Sequence, residues 1–199
     1  MTVRAEDELL TERLVLRRLS TTDVRAFLAI ADDFEVARMT SDIPHPLNRA
    51  KAQAWLAPSS GEARFAIVCA GRMIGSAGYF RRSSESAELG FWLGRTWWGR
   101  GYTTEAARAL VRHGFEVGKL AVFTSSHFVD NPASARVLEK LGFRPTGSGR
   151  IWSAARGHDV AAELLELTRE HAETVMDLAP VRLHRQSRWS ALIERVRGA

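Results

Sequence analysis

"AELGFWLGRTWWGRGYTTEAARALVRHG", residues 87–114, changes its period in the middle. Through Leu93 it alternates, with Ala87, Leu89, Phe91 and Leu93 on one side and Glu88, Gly90 and Trp92 on the other, as a strand does. From about Thr104 to Val117 the apolar positions Ala107, Leu110, Val111, Gly114 and Val117 fall on one helical face, opposite Arg108, Arg112 and Glu116. Gly99, Arg100 and Gly101 lie at the join. Glycines let the loop backbone come close to an anion, and a helix N-terminus adds unpaired N–H groups and the positive end of its dipole. The stretch reads either as a phosphate cradle, with Arg100 adding a charge-assisted contact, or as a plain strand-to-helix turn.

The strand-loop-helix reading extends outward in both directions. "ARFAIVCA" and "MIGSAGYF" precede residues 86–93 as β-rich runs separated by short polar breaks, which predicts a three-stranded antiparallel meander. Upstream, "ERLVLRRL" alternates as a strand, Ser20 and Asp23 can open a helix over "TDVRAFLAIA", and "RAKAQAWLA" is helical. The two prolines of "TSDIPHPLN" mark a loop around His45 that is either a binding edge or a connector. Downstream, "LAVFTSSHFV" is a strand, and Asn131 with Pro132 caps a helix that ends at Gly142. Ser134, Val137, Leu138 and Leu141 share a face of that helix, placing one hydroxyl among apolar side chains. "HDVAAELLELTRE" fits both periods, and its context favours a strand.

The 199 residues suit one domain with an appendage. No apolar run reaches the ~20 residues of a membrane span, and the lone Cys69 excludes a disulfide framework or a thiolate zinc site. The expectation is a cytoplasmic protein without a metal. Four of the five excess positive charges lie in residues 180–199, where five arginines face only Glu194, so any nucleic-acid contact would belong to this tail. A lysine-bearing G-x-x-x-x-G-K-[ST] loop is missing, and "GRGYTT" lacks the third glycine of the dinucleotide fingerprint. A coenzyme A pyrophosphate remains a candidate for the cradle, because it needs backbone donors and no essential metal.

"LLTERLVLRRL", "AELGFWLGRTWWGRGYTTEA" and "DNPASARVLEKLGF" together resemble the GCN5-related N-acetyltransferase (GNAT) superfamily, in its ribosomal-protein N-terminal (RimJ/RimL-like) branch. The resemblance covers roughly residues 9–168. It implies an α+β fold: a twisted, mostly antiparallel sheet of six to seven strands with a splayed parallel pair, flanked by helices. Residues 1–169 would form the N-acetyltransferase domain, and 170–199 a basic, partly helical extension whose Trp189–Val196 stripe packs on the domain or across a homodimer. The superfamily loop motif Q/R-x-x-G-x-G/A falls on Trp98, Gly101 and Thr103, of which Trp98 and Thr103 depart from the pattern. By this resemblance acetyl-CoA is the co-substrate. Its pyrophosphate is held by Gly99, Arg100, Gly101, Tyr102, Thr103 and Thr104, and its pantetheine arm by Phe91, Trp92 and Leu93, with Asn131 nearby.

Transfer needs a neutral amine, yet an α-amino group titrates at about 8 and a lysine at about 10.4, so a base or a water relay must take a proton. Glu88, on the open face of the strand beside the acetyl site, is the expected base or else a salt-bridged strand residue. The tyrosine that many relatives use to protonate the thiolate is replaced by Leu138, leaving Ser134 as the hydroxyl available to the sulfur. Cys69 reads as inert packing and His127 as structural. The expected activity is direct acetyl transfer to a primary amine, a peptide N-terminus or a small molecule, in a ternary complex. The alternative is a non-catalytic acyl-CoA or RNA-associated binding module.

Overall fold

In a computed structural model of the chain, residues 7–176 and 183–185 are described. Among the described residues nine strands form one sheet: β1 (Asp7–Leu10), β2 (Val15–Arg18), β3 (Glu62–Cys69), β4 (Arg72–Arg81), β5 (Ser86–Leu93), β6 (Val122–Phe128), β7 (Arg144–Ser153), β8 (His158–Thr168) and β9 (Leu183–Arg185). Their order is β7-β8-β6-β5-β4-β3-β2-β1-β9. All neighbours are antiparallel except β5 and β6, which run parallel. The class is the expected α+β. The strand count exceeds six to seven because β7 and the short β1 and β9 join the sheet.

Helices cover both faces. On one side lie α1 (Val24–Ala31), the single turn α2 (Phe34–Ala37) and α3 (Arg49–Leu56). Here Ser20 and Asp23 form the anticipated capping box, and Asp23 also pairs with Arg17 at 2.6 Å. Val24, Phe27 and Ala31 then pack with Ala52, Leu56 and Trp92. On the other side, α4 (Tyr102–Glu116), α5 (Pro132–Lys140) and α6 (Arg169–Val175) close over a second cluster that contains Ala87, Leu89, Leu93, Leu110, Phe123, Leu138 and Ala172. The alternation of β5 is thus satisfied on both faces, with Trp92 buried under α1 and α3 while Leu89 and Leu93 are buried under α4.

One helix start differs from the sequence reading. Helix α4 begins at Tyr102, two residues before the anticipated Thr104, because Gly101 in the left-handed region (φ +79°) is its N-cap. At its C-terminus the left-handed residue is Lys119 (φ +56°), whereas Gly118 is required by packing: a Cβ there would lie 2.6 Å from the Gly114 carbonyl oxygen. Beyond residue 170, Ala172 and Met176 are buried in the main cluster, and β9 pairs with β1. The Trp189–Val196 stripe lies outside the described residues.

The tip of the β7–β8 hairpin folds back onto the segment after α2. Ser153 Oγ donates to the Thr40 carbonyl (3.4 Å), Ala154 N–H to Ser41 (2.9 Å) and Arg156 Nε–H to Arg38 (2.8 Å). Arg156 also forks onto Asp130 at 2.8 and 3.0 Å, and these bonds hold the Asp130 carboxyl below its usual range. No helix among the described residues is long and apolar enough to cross a membrane.

Candidate active site

The parallel ladder between β5 and β6 ends at Glu88 and Thr124. Ser125 Oγ makes a last bridge to the Leu89 carbonyl (2.9 Å), after which the strands diverge. Leu89 therefore turns its backbone groups toward β6. By two-residue alternation Phe91 and Leu93 present theirs to the same open side, while those of Trp92 face β4. The Leu93 carbonyl is already occupied by the Trp98 indole N–H at 2.8 Å. A cavity of about 780 Å³ fills the opening, walled by β5, β6, the glycine loop, α5 and the 39–42 segment.

At one end of this cavity Gly99 (φ +74°) and Gly101 (φ +79°) turn the chain into α4. A side chain at these angles would be strained, and the absence of Cβ atoms leaves the loop backbone uncovered. Glu105 N–H begins the helical bonding by donating to the Gly101 carbonyl (3.1 Å). The N–H groups of Gly99 through Thr104 have no acceptor among the described residues. Six consecutive unclaimed donors thus stand at the mouth of a 15-residue helix, where they and the positive end of the helix dipole favour an anion. Arg100 itself projects outward, its guanidinium 5.4 Å from the Trp97 ring.

The helix mouth is tied to the β1–β2 turn. Glu105 accepts from Thr11 Oγ1 (2.6 Å), Arg13 N–H (2.8 Å) and Arg13 Nε–H (2.7 Å), while Arg13 Nη1 donates to the Arg100 carbonyl (3.1 Å) and its guanidinium covers Tyr102 at 4.6 Å. Burial opposes ionisation of Glu105, but these donors outweigh it and hold its pKa below the ordinary carboxylate value. Neither Arg13 nor Glu105 stood out in the sequence. A second hollow shares Gly101 and Thr104 and is bordered by Arg108, Arg112 and Lys140. The buried Arg112 Nε has no hydrogen-bond partner among the described residues, so cationic side chains continue the run of donors outward.

The other anticipated residues come together around the same cavity. Glu88 faces it from β5 and is ion-paired with Arg82, whose Nε and Nη2 both bond Oε2. Asn131 caps α5 by accepting from Ser134 N–H at 3.1 Å. That bond satisfies the Ser134 backbone, and the Ser134 hydroxyl, on the cavity wall, has no partner among the described residues. Trp92 contributes its side chain rather than its backbone. It is buried against Phe27 and Trp55, and its indole nitrogen has no acceptor among the described residues. His127 is buried in the wall, with Nδ1 against the Phe128 carbonyl and Nε2 3.2 Å from Glu163. Cys69 packs against the core at the end of β3 and does not line the cavity.

The far end was not visible in the sequence. Asp42, Trp55, Glu62 and Arg64 line it, drawn from a loop, a helix and a strand. Asp42 Oδ2 accepts from the Trp55 indole at 2.8 Å, and Arg64 Nε pairs with Glu62 at 2.5 Å. His45, the prominent residue of the proline loop, is engaged elsewhere, with Asp32 at 3.4 Å and the Phe34 ring.

A sheet opened at one parallel pair, with unclaimed N–H donors at a helix mouth at one end of the opening and carboxylates at the other, defines a class of group-transfer enzymes that hold a phosphate-bearing donor against an acceptor. The acetyltransferase (GNAT) domain model matches residues 13–144, and the chain belongs to this family. It is an N-acetyltransferase. An uncharacterized N-acetyltransferase of Bacillus licheniformis, p20, is 28% identical over 83% of this chain and 99% of its own. The ribosomal-protein-serine acetyltransferase of Escherichia coli K12 is 37% identical over a shorter stretch, 30% of this chain and 34% of its own. Among solved structures, RimL, a ribosomal L7/L12 alpha-N-protein acetyltransferase in complex with coenzyme A, superposes with a TM-score of 0.73 at 17% identity over 81% of this chain and 97% of its own.

Proposed function

We propose that the chain transfers the acetyl group of acetyl-CoA to a primary amine by direct attack in a ternary complex, in the cytoplasm. The observation that carries this reading is the run of unclaimed N–H groups at Gly99–Thr104 opening into the same cavity as Glu88. The pyrophosphate occupies that run, and Arg108, Arg112 and Lys140 supply positive charge beyond it. The pantetheine arm follows the open edge of β5 along Phe91 and Leu93, bringing the thioester to the splay. Holding both reactants there can contribute ~7 kcal/mol or more to lowering the barrier.

The amine reaches the thioester from the Glu88 side and loses a proton to Oε1, directly or through water, while Arg82 holds Oε2. Its lone pair forms the C–N bond, the C–S bond breaks, and the departing thiolate takes a hydrogen bond from Ser134 and is protonated by the second proton that the acetylated nitrogen gives up. The ribosomal relatives favour a peptide N-terminus as acceptor over a small-molecule amine.

Calorimetric titration with acetyl-CoA, coenzyme A and ATP tests the donor site: saturable binding of both CoA species without ATP is expected, and no CoA binding by folded protein refutes it. Glu88→Gln tests the base. Its kcat on a seryl peptide should fall by about 10²–10⁴ with CoA affinity unchanged, and an unaltered kcat would remove Glu88 from the chemistry.

A further inference from the structure

The far end of the cavity holds three carboxylates, Asp42, Glu62 and Glu88, and their partners differ. Glu88 is taken by Arg82 and Glu62 by Arg64. Arg64 is further committed to the backbone carbonyls of Trp55 (2.5 Å) and Ala57 (2.9 Å). Asp42 has no cation within ion-pair distance among the described residues. Its side-chain hydrogen-bond donor is a neutral indole, which bonds Oδ2, and the residue lines the cavity.

That indole is held firmly. Trp55 stacks on Phe27 (4.6 Å between centroids, 13° between planes) and lies under the Arg64 guanidinium at 4.5 Å. A carboxylate on an exposed loop is therefore fixed in direction by a partly buried aromatic group. Beside it Trp92, 9% exposed, adds an aromatic wall to the same cavity. A cavity-lining carboxylate with no ion-pair partner among the described residues is complementary to a small ligand that carries a positive charge.

We propose that Asp42 anchors the acceptor amine as its ammonium ion and is a specificity-determining residue of the transfer site. This rests on the acetyltransferase reading and names the residue that recognises the acceptor. Desolvation at the cavity wall raises the pKa of the Asp42 carboxyl, with the Trp55 bond, its own backbone N–H and the Arg64 charge opposing the shift and the Glu88 charge adding to it, and a bound cation would lower it. In the catalytic sequence Asp42 gathers the charged amine, and the proton is then surrendered at Glu88, where the thioester waits.

The test reads the Trp55 indole N–H resonance by NMR, identified by its loss in Trp55→Phe. Protein saturated with coenzyme A is titrated at neutral pH with n-butylammonium, spermidine and a seryl peptide amide, and with 1-butanol and the N-acetylated peptide as neutral controls. At least one ammonium probe should move the resonance saturably while the neutral controls do not. Asp42→Asn should raise that probe's Kd at least tenfold while changing CoA affinity less than twofold. In turnover, the KM for the amine should rise far more than kcat falls. Equal binding by Asp42→Asn, equal response to neutral controls, or no response to any ammonium probe overturns the proposal. Repeating the titration without coenzyme A separates the two readings, since failure to bind CoA refutes the donor site and leaves the amine response to judge Asp42.

Discussion

Replacing Gly101 separates the conformational role of the loop from its electrostatic one. Gly101 is the N-cap of α4 at φ +79°, so any L-residue there is strained by about 1–2 kcal/mol. A Cβ would meet only the far end of the Arg13 side chain, at 3.4 Å, which can give way. Gly101→Ala should therefore lose about 2–8 °C in Tm at roughly 2–4 °C per kcal/mol, with CoA affinity reduced a few-fold at most. Gly101→Glu carries the same strain, but a carboxylate at a helix N-terminus recovers about 0.3–1 kcal/mol, so it should melt no lower than the alanine variant. Its effect on binding is much larger, because it brings a negative charge to the anion seat. At about 5 Å and an effective dielectric of about 20, that repulsion is about 3 kcal/mol per phosphate charge, or more than a hundredfold in Kd. Calorimetry at physiological ionic strength, with melting curves alongside, reads both effects. If Gly101→Glu binds coenzyme A as tightly as Gly101→Ala, the pyrophosphate does not lie at the mouth of α4.

Removing the Ser134 hydroxyl as alanine should lower kcat by about fivefold, the worth of one neutral hydrogen bond, with acetyl-CoA affinity unchanged in calorimetry. Because the Glu105 carboxyl is held below its usual pKa, its contribution to stability is complete above about pH 4.3, the unfolded value, and is lost as pH falls through the lower folded value. The Tm difference between wild type and Glu105→Gln should accordingly be constant near neutrality and shrink below about pH 4. Gly114→Ala should cost about 1–3 kcal/mol by overpacking, since a Cβ there would lie 2.3 Å from the Phe123 ring, and denaturant melts would show it.

The strands and the glycine loop were legible because their signals are local. Alternation marked β3 to β5, and the glycine pair next to a helical period marked the turn into α4. The cap of α5 was equally plain from Asn131 and Pro132. β7 was obscured because "RPTGSGRIWS" carries Pro145, Gly147 and Gly149, residues that usually end strands. It survives as an edge strand with β8 as its neighbour, and its register shifts between Pro145 and Gly147. The start of α4 was misplaced because the left-handed turn at Gly101 is a backbone property that composition does not report. Asp42, Trp55 and Arg64 were unreadable for another reason: their proximity arises only when a loop, a helix and a strand are brought together by the sheet.

The hairpin tip that bonds to residues 38–41 gives the molecule a division of labour. The donor seat is built from one continuous stretch and fastened by Arg13 and Glu105, whereas the opposite wall is assembled from segments far apart in the chain and joined at the surface. Substitutions at Ser153, Ala154 or Arg156 reach the acceptor wall through Thr40 and Ser41 while leaving the glycine loop untouched. On the proposed reading, the wall that meets the acceptor can be reshaped through a peripheral ribbon while the seat for the acetyl donor is left as it is.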